Sequence, residues 1–340
     1  MKFLIGCWTF LDADKPSQMR AHWLDLNGVG ALSEIADAPK SVYYGAVEPG
    51  GQSMLLLRND MHRSAMSRQT IHADGILTET GHWRCGENGV DEGGSYIAFD
   101  QTGAYFAVAN SAVGWVIYRN GATPEAIADL CHEGSGPHPR QAHSHPHCVI
   151  FSPDNRWIYA ADMGADAVLA FPFDAATGRV GEKIIAHRTT PGAGPRHLLF
   201  HHGLVYLLNE LGNALEVLAP NADGTLTALQ KVATMPEDFT AFTHCSHLAV
   251  GTQENVILAA NRGHDSIAGF ILGDDGRVIE RLWTPSGGVW PWCFAVASDG
   301  RLIVANTRSD TLSIFAPDGP GRFRLIQNLN VEKPAFIMAV

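Results

Sequence analysis

The sequence lacks any run of lysine and arginine, and no apolar stretch approaches the ~18 residues that a membrane-spanning helix needs. Its 24 Lys and Arg stand against 35 Asp and Glu, a net charge of −11 at pH 7, so the overall field repels phosphate. Neither a nucleic acid nor a membrane is therefore an expected partner. Charged residues reach only 17% while hydrophobic residues make up 46%, the reverse of a disordered composition. The six cysteines (Cys7, Cys85, Cys131, Cys148, Cys245, Cys293) form no CxxC pair, which argues against a zinc knuckle or a dithiol redox motif. Four of them, Cys7, Cys148, Cys245 and Cys293, lie in apolar runs and read as buried free thiols of a reducing compartment. The start, MKFLIGCWTFLDAD, lacks the long apolar core and small-residue cleavage site of a secretory signal and reads as a first strand, so a cytoplasmic location is expected. Helix is scarce, and PEAIADL (124–130) is expected to be at most a short surface turn.

A repeat fills the chain. Its unit is an apolar run, a turn, a second apolar run closed by Asn or Asp, a polar turn and a third apolar run. Copies include HCVIFSPDNRWIYAADMGADAVLAF, HLLFHHGLVYLLNELGNALEVLAP, HLAVGTQENVILAANRGHDSIAGFIL and CFAVASDGRLIVANTRSDTLSIFAP. The closing residue recurs at Asn59, Asn110, Asp162, Asn209, Asn261 and Asn306, at spacings of 51, 52, 47, 52 and 45. Such a period leaves room for four short strands per unit, the mark of a β-propeller. SPDN, ADGT, DDGR and SDGR supply the turn chemistry of hairpins, and the repeating Asn residues read as turn-formers at strand ends. Six internal copies leave an N-terminal pair of strands and a lone C-terminal strand, AFIMAV. Joined in one sheet, these complete a seventh blade and remove a free sheet edge. The expected architecture is all-β: one seven-bladed propeller domain over residues 1–340, its ring closed by both termini.

In a propeller the first strands of the blades converge, so a site can gather residues distant in sequence. Aligned on their last large apolar residue, these strands place Tyr43, Ser95, His147, Arg196, Ser246, Trp292 and Phe336 at one level, with His197 and His247 a step away. A second level follows the repeating Asn/Asp and reads Asp60, Ser111, Met163, Glu210, Arg262 and Thr307. His147, Arg196, Glu210 and Arg262 are the candidate catalytic group. Two guanidiniums suit a carboxylate or phosphate, which they can grip bidentately. An imidazole and a carboxylate can move protons. His145, His197, His247, Trp292 and Tyr43 are the expected substrate-binding neighbours. His143, His145 and His147 alternate in AHSHPHC, but Pro146 interrupts the strand and no adjacent carboxylate completes a ligand set, so neither a metal nor another cofactor is expected. MPEDF (235–239) reads as a surface loop between blades, and HHG (201–203) as a tight turn.

At these residues the chain resembles the seven-bladed propeller lactonases, the group that contains the propeller-type bacterial 6-phosphogluconolactonases and the fungal 3-carboxy-cis,cis-muconate lactonizing enzyme. The resemblance is carried by HPHCVIFSPDNRWIYAADMGADAV, by GAGPRHLLF followed by NELGNALEV, by MPEDF, and by HLAV with ANRGHDSIAGF. It covers roughly residues 90–315, and the first 90 only in outline. It implies a metal-independent site at the channel mouth, with His147, Arg196, Glu210 and Arg262 matching the family's His, Arg, Glu and Arg. The chain departs from the pattern in GCWTFLDADKPSQM, RNDMHRSAMSRQ and ENGVDEGG, and GPHPRQAHSHPH can reshape the same rim.

The implied reaction is hydrolysis of a sugar-acid lactone, phosphorylated or not. Either His147 or Glu210 activates water while the other relays the proton, and Arg196 or Arg262 neutralises the oxyanion or holds an acidic group. A carboxymuconate-type lactonizing cycloisomerase would use the same parts. A non-enzymatic interaction scaffold is the competing class, but no Trp-Asp pair recurs, and the charged residues cluster in the middle blades. The expected partner is a small acidic lactone, bound by a monomer or small homo-oligomer.

Overall fold

The computed structural model describes residues 1–8, 21–28, 30–35, 40–60, 63–84, 94–111 and 114–340. The segments 9–20, 61–62 and 85–93 lie outside them. They take with them Cys85, most of the first rim loop, the middle of the second and nearly all of ENGVDEGG. Among the described residues the strands form seven antiparallel sheets, and the one helix is a 3-10 turn at Pro139–Gln141.

Six sheets run outward in chain order from first strands at Val42–Val47, Gly94–Phe99, Pro146–Phe151, Pro195–His201, His244–Val250 and Pro291–Val296. The seventh begins at the C-terminal strand Pro334–Ala339, continues into Lys2–Cys7, and ends with His22–Asp25 and Ala31–Glu34. Phe3 pairs with Ala339, Leu4 with Met338 and Ile5 with Ile337, so both termini share one sheet as the repeat requires.

Two compact units can be distinguished. One comprises Met1–Tyr43, Asn213–Val217 and Leu229–Val340, and the other Tyr44–Gly212 and Leu218–Ala228. Within the second, Trp115, Tyr105 and Ile117 pack against Val149, Phe151 and Ile158 of the next sheet, and Tyr159 and Val168 against Leu198 and Leu207 of the one after. Trp115 is fully buried and donates its indole N–H to the Cys148 carbonyl at 3.1 Å, which removes the cost of burying that donor. Within the first unit, Leu258 and Ile267 meet Phe294, Val304 and Phe315.

Burial explains the apolar runs. The second strands, such as Tyr105–Asn110 and Val256–Arg262, are buried along their whole length. Fourth strands such as Phe323–Asn330 are largely exposed and carry polar residues. The hairpin turns use left-handed glycines where expected, Gly276 at φ 74° in DDGR and Gly300 at φ 94° in SDGR. PEAIADL departs from expectation: Glu125–Leu130 is a strand paired with Gly114–Arg119. Its local Ala and Glu content gives way to an available sheet edge, as strand context often overrides propensity.

The repeating Asn/Asp residues are also not simple turn-formers. Asp162, Asn209, Asn261 and Asn306 are fully buried. Asn261 donates to the Thr234 carbonyl at 3.1 Å and to Ser266 Oγ at 3.3 Å, and Asn306 to the Ser286 carbonyl and Ser313 Oγ, each at 2.9 Å. Each amide ties the end of its own strand to the neighbouring strand and to the segment that leads from the preceding sheet into its own.

Candidate active site

Four residues beyond Asp162, Asn209, Asn261 and Asn306 lies a second repeated feature. Asp166, Asn213, Asp265 and Asp310 all adopt left-handed φ values of 46–55°, which Asn and Asp tolerate best among residues with a Cβ. Their carbonyls accept from Thr189, Thr234, Ser286 and Val331 at 2.8–3.0 Å. Their side chains hold the segment leading into the next first strand: Asp166 accepts from Gly194 N (2.8 Å), Asp265 from Trp290 N (2.8 Å) and Asp310 from Lys333 N (2.9 Å), while Asn213 donates to the Thr243 carbonyl (3.0 Å). Three of these latches, those on Gly194, Thr243 and Trp290, fix the backbone shortly before the candidate residues Arg196, His247 and Trp292.

At those positions the first strands are bulged. Pro146 pairs with Asp162 and Cys148 with Ala161, so the register shifts across His147. It shifts in the same way across Arg196 between Pro195 and His197, across Ser95 between Gly94 and Tyr96, and across Trp292 between Pro291 and Cys293. A further irregularity spans Cys245 to Leu248, where Ser246 and His247 sit. A bulge re-aims a side chain and ends regular pairing, a device common beside active sites.

In the second unit these bulges gather the charged group. Glu210 follows the buried Asn209 and is itself fully buried; its N–H donates to the Gly194 carbonyl at 2.8 Å. Its Oε2 accepts from Arg196 Nη1 and its Oε1 from Arg140 Nη1 at 2.5 Å. Both oxygens of the carboxylate are thus engaged by guanidiniums, two cations to one carboxylate in this triad. His145 and His147 lie with ring centroids 6.2 Å apart, and His147 and His197 at 5.6 Å. The His197 ring meets Tyr96 edge-on at 5.4 Å. Burial is the main influence pushing the His145 imidazole below its usual value. Glu210 and Asp162 oppose that shift, and Arg140 and Arg196 reinforce it.

A buried carboxylate stands behind this group. Asp162 accepts from His132 Nδ1 (2.9 Å), Ser144 Oγ (2.7 Å) and the backbone N–H groups of His145, Gly164 and Ala165. It occupies a position that is Asn in the neighbouring repeats, and it holds the backbone of the AHSHPH segment. His143 lies outside the strand and its Nδ1 meets the Ser144 carbonyl at 2.7 Å. Among the described residues no group of three or more His, Cys, Asp or Glu side chains is arranged to hold a metal ion.

The other predicted residues belong to the first unit. Arg262 is buried and donates to the Cys245 carbonyl at 2.7 Å, and its guanidinium lies 4.8 Å from the Trp292 ring centroid and 5.5 Å from that of Trp290. Trp8 joins this aromatic set, 5.0 Å from Trp292 and 6.2 Å from Tyr43. His247 packs edge-on against Phe294 at 4.9 Å. In MPEDF, Met235 is buried and a turn closes from Phe239 N to the Pro236 carbonyl; the segment is anchored at its first residue rather than lying wholly on the surface. His202 and Gly203 form the expected tight turn.

Arg140 and Asp166 were not predicted. Arg140 lies in the 3-10 turn Pro139–Gln141, whose start is capped reciprocally by His138 and Gln141. The PHPRQ stretch carried that signal, and the recurrence of Asp, Asn or Gly four residues after five of the six repeating Asn/Asp carried the other.

The family model described as "Lactonase, 7-bladed beta-propeller" matches residues 25–339. The chain belongs to this family, and its seven sheets are the blades of an all-β, seven-bladed propeller. A 6-phosphogluconolactonase of Bacillus subtilis (strain 168) is 31% identical over 244 residues, covering 68% of each chain. Among solved structures, the periplasmic gluconolactonase PpgL of Pseudomonas aeruginosa aligns with a TM-score of 0.86 at 23% identity, over 99% of this chain and 98% of that one. A protein from Lactobacillus plantarum aligns equally well, at 22% identity, with the same coverage. At these identities the structural matches speak to the fold alone.

Proposed function

We propose that the chain is a lactone hydrolase acting on a sugar-acid lactone, of the kind named for its Bacillus and Pseudomonas relatives. The observation that carries this reading is Glu210 held between Arg140 and Arg196, beside imidazoles presented on a bulged strand. Because both Glu210 oxygens already accept from guanidiniums, proton transfer falls to His147, and Glu210 orients the cations. His147 takes a proton from water as the oxygen attacks the lactone carbonyl carbon. Arg196 stabilises the oxyanion that develops. The ring C–O bond then breaks, and the imidazolium returns its proton to the departing alkoxide, leaving an open hydroxy acid. Guanidinium supplies the positive charge, so no metal ion is needed, and EDTA should leave the rate unchanged. His145 and His197, beside His147, contribute to substrate binding.

We place this activity in the cytoplasm, on a single functional domain acting as a monomer or small homo-oligomer. Four of the described cysteines are buried free thiols, which supports that compartment; cell fractionation tests it. Among the described residues no helix is long and apolar enough to cross a membrane.

The test is acid release followed by pH-stat on purified protein, with glucono-δ-lactone, its 6-phosphate and a glucarolactone as substrates. Turnover well above spontaneous ring opening is expected for at least one. Background rates on all three would remove the hydrolase reading, and conversion of a cis,cis-muconate instead would replace it with the lactonizing one.

A further inference from the structure

Arg140 and Arg196 bind the same carboxylate but meet solvent very differently. The Arg196 side chain is 6% exposed and that of Arg140 43%. The Arg140 guanidinium places Nη1 on Glu210 Oε1 at 2.5 Å and Nη2 by Met163 Sδ at 4.0 Å. One end of the fork is therefore anchored to a buried anion, while the side chain as a whole keeps access to solvent.

The platform beneath it is rigid. Gln141 is fully buried, and its amide donates to the Met163 carbonyl (2.8 Å) and to Asp166 Oδ1 (2.7 Å), while its Oε1 accepts from His138 N (3.1 Å). Pro139 fixes the first residue of the turn. A cation held in this way loses little freedom on binding a ligand, and a planar guanidinium suits an oxyanion.

We propose that Arg140 is the specificity-determining residue that recognises a second anionic group on the lactone, a phosphate or carboxylate remote from the carbonyl under attack. The inference rests on the hydrolase reading and names the substrate class within it. Arg196, enclosed and paired, serves the reacting carbonyl, and Arg140 reads the distal charge.

The experiment measures kcat and KM for wild type, Arg140→Gln and Arg140→Lys on glucono-δ-lactone, its 6-phosphate and a glucarolactone, with circular dichroism confirming the fold. In Arg140→Gln, preference for an anionic lactone over the neutral one, as a ratio of kcat/KM values, should fall about tenfold or more through a higher KM. Arg140→Lys should recover part of it. Loss on the phosphorylated substrate alone identifies phosphate as the group read, and loss on the glucarolactone alone identifies carboxylate. A ratio that moves less than about twofold for both overturns the proposal, as does an equal fall in kcat on all three lactones. Should wild type hydrolyse none of them, the hydrolase reading fails separately. Calorimetric titration with 6-phosphogluconate and glucarate then decides: binding lost in Arg140→Gln sustains the role of Arg140, and equal binding, or none to wild type, refutes it.

Discussion

Gln141 donates to Asp166 at 2.7 Å, and the same carboxylate accepts from the backbone of Gly192 at 2.6 Å and of Gly194 at 2.8 Å. The turn that carries Arg140 and the strand that carries Arg196 are thereby tied to one buried anion. The two guanidiniums meet on Glu210, one at each carboxylate oxygen.

Replacing Asp166 with Ala leaves three donors without their acceptor. We expect a loss of about 3 kcal/mol in unfolding free energy, with reduced activity, and a partial recovery in Asp166→Asn, which keeps one acceptor oxygen. Urea denaturation of the three proteins measures this. A change below about 0.5 kcal/mol in Asp166→Ala would show that the latch does not hold the frame.

Glu210→Gln removes the carboxylate that pairs with Arg196, which is itself almost fully enclosed. Breaking a buried pair from one side costs about 3–5 kcal/mol, because the remaining charge stays buried. Stability and lactone turnover should fall together. Wild-type stability with lost turnover would instead give Glu210 a direct part in proton transfer.

His145 gives a pH signature. Its pKa is lowered, chiefly by burial, from an ordinary value of 6.5. The unfolded chain therefore takes up its proton first as pH falls. The resulting penalty on the folded state is absent well above 6.5 and grows as pH drops through that value toward the lower folded one. His145→Gln should flatten this part of a plot of melting temperature against pH between about 7 and 5. An unaltered slope would contradict the shift.

The thiols differ in the opposite sense. Burial pushes both Cys7 and Cys148 up to about 12, whereas Cys131 is exposed. Stability linked to these two protonated thiols is present below the ordinary value of 9.0 and is lost as pH rises through about 12. Under native conditions at pH 8, iodoacetamide should modify Cys131 long before Cys7 or Cys148, as peptide mass spectrometry would reveal. Early labelling of Cys148 would deny its burial.

The blade count and the joining of Phe3 to Ala339 could be read in the sequence because a fixed period and unmatched ends are properties of order alone. The level shared by His147, Arg196 and Trp292 could be read too, since each is the second residue of its strand. The bulge at that level could not, because a skipped pairing leaves no mark in an apolar pattern. Arg140 escaped because its partner Glu210 lies 70 residues away and no repeat links them. The repeating Asn residues were seen but given a turn's role; only burial revealed the bonds they make between strands. Glu125–Leu130 was lost to its helix-favouring composition.

His147 carries the proton transfer of the proposed hydrolysis. Its replacement by Asn, in a protein that retains the wild-type circular dichroism and melting temperature, should reduce kcat on the preferred lactone by about a hundredfold or more after subtraction of spontaneous hydrolysis. Catalysis by His147→Asn within a factor of about two of wild type would contradict the assignment of proton transfer to this imidazole.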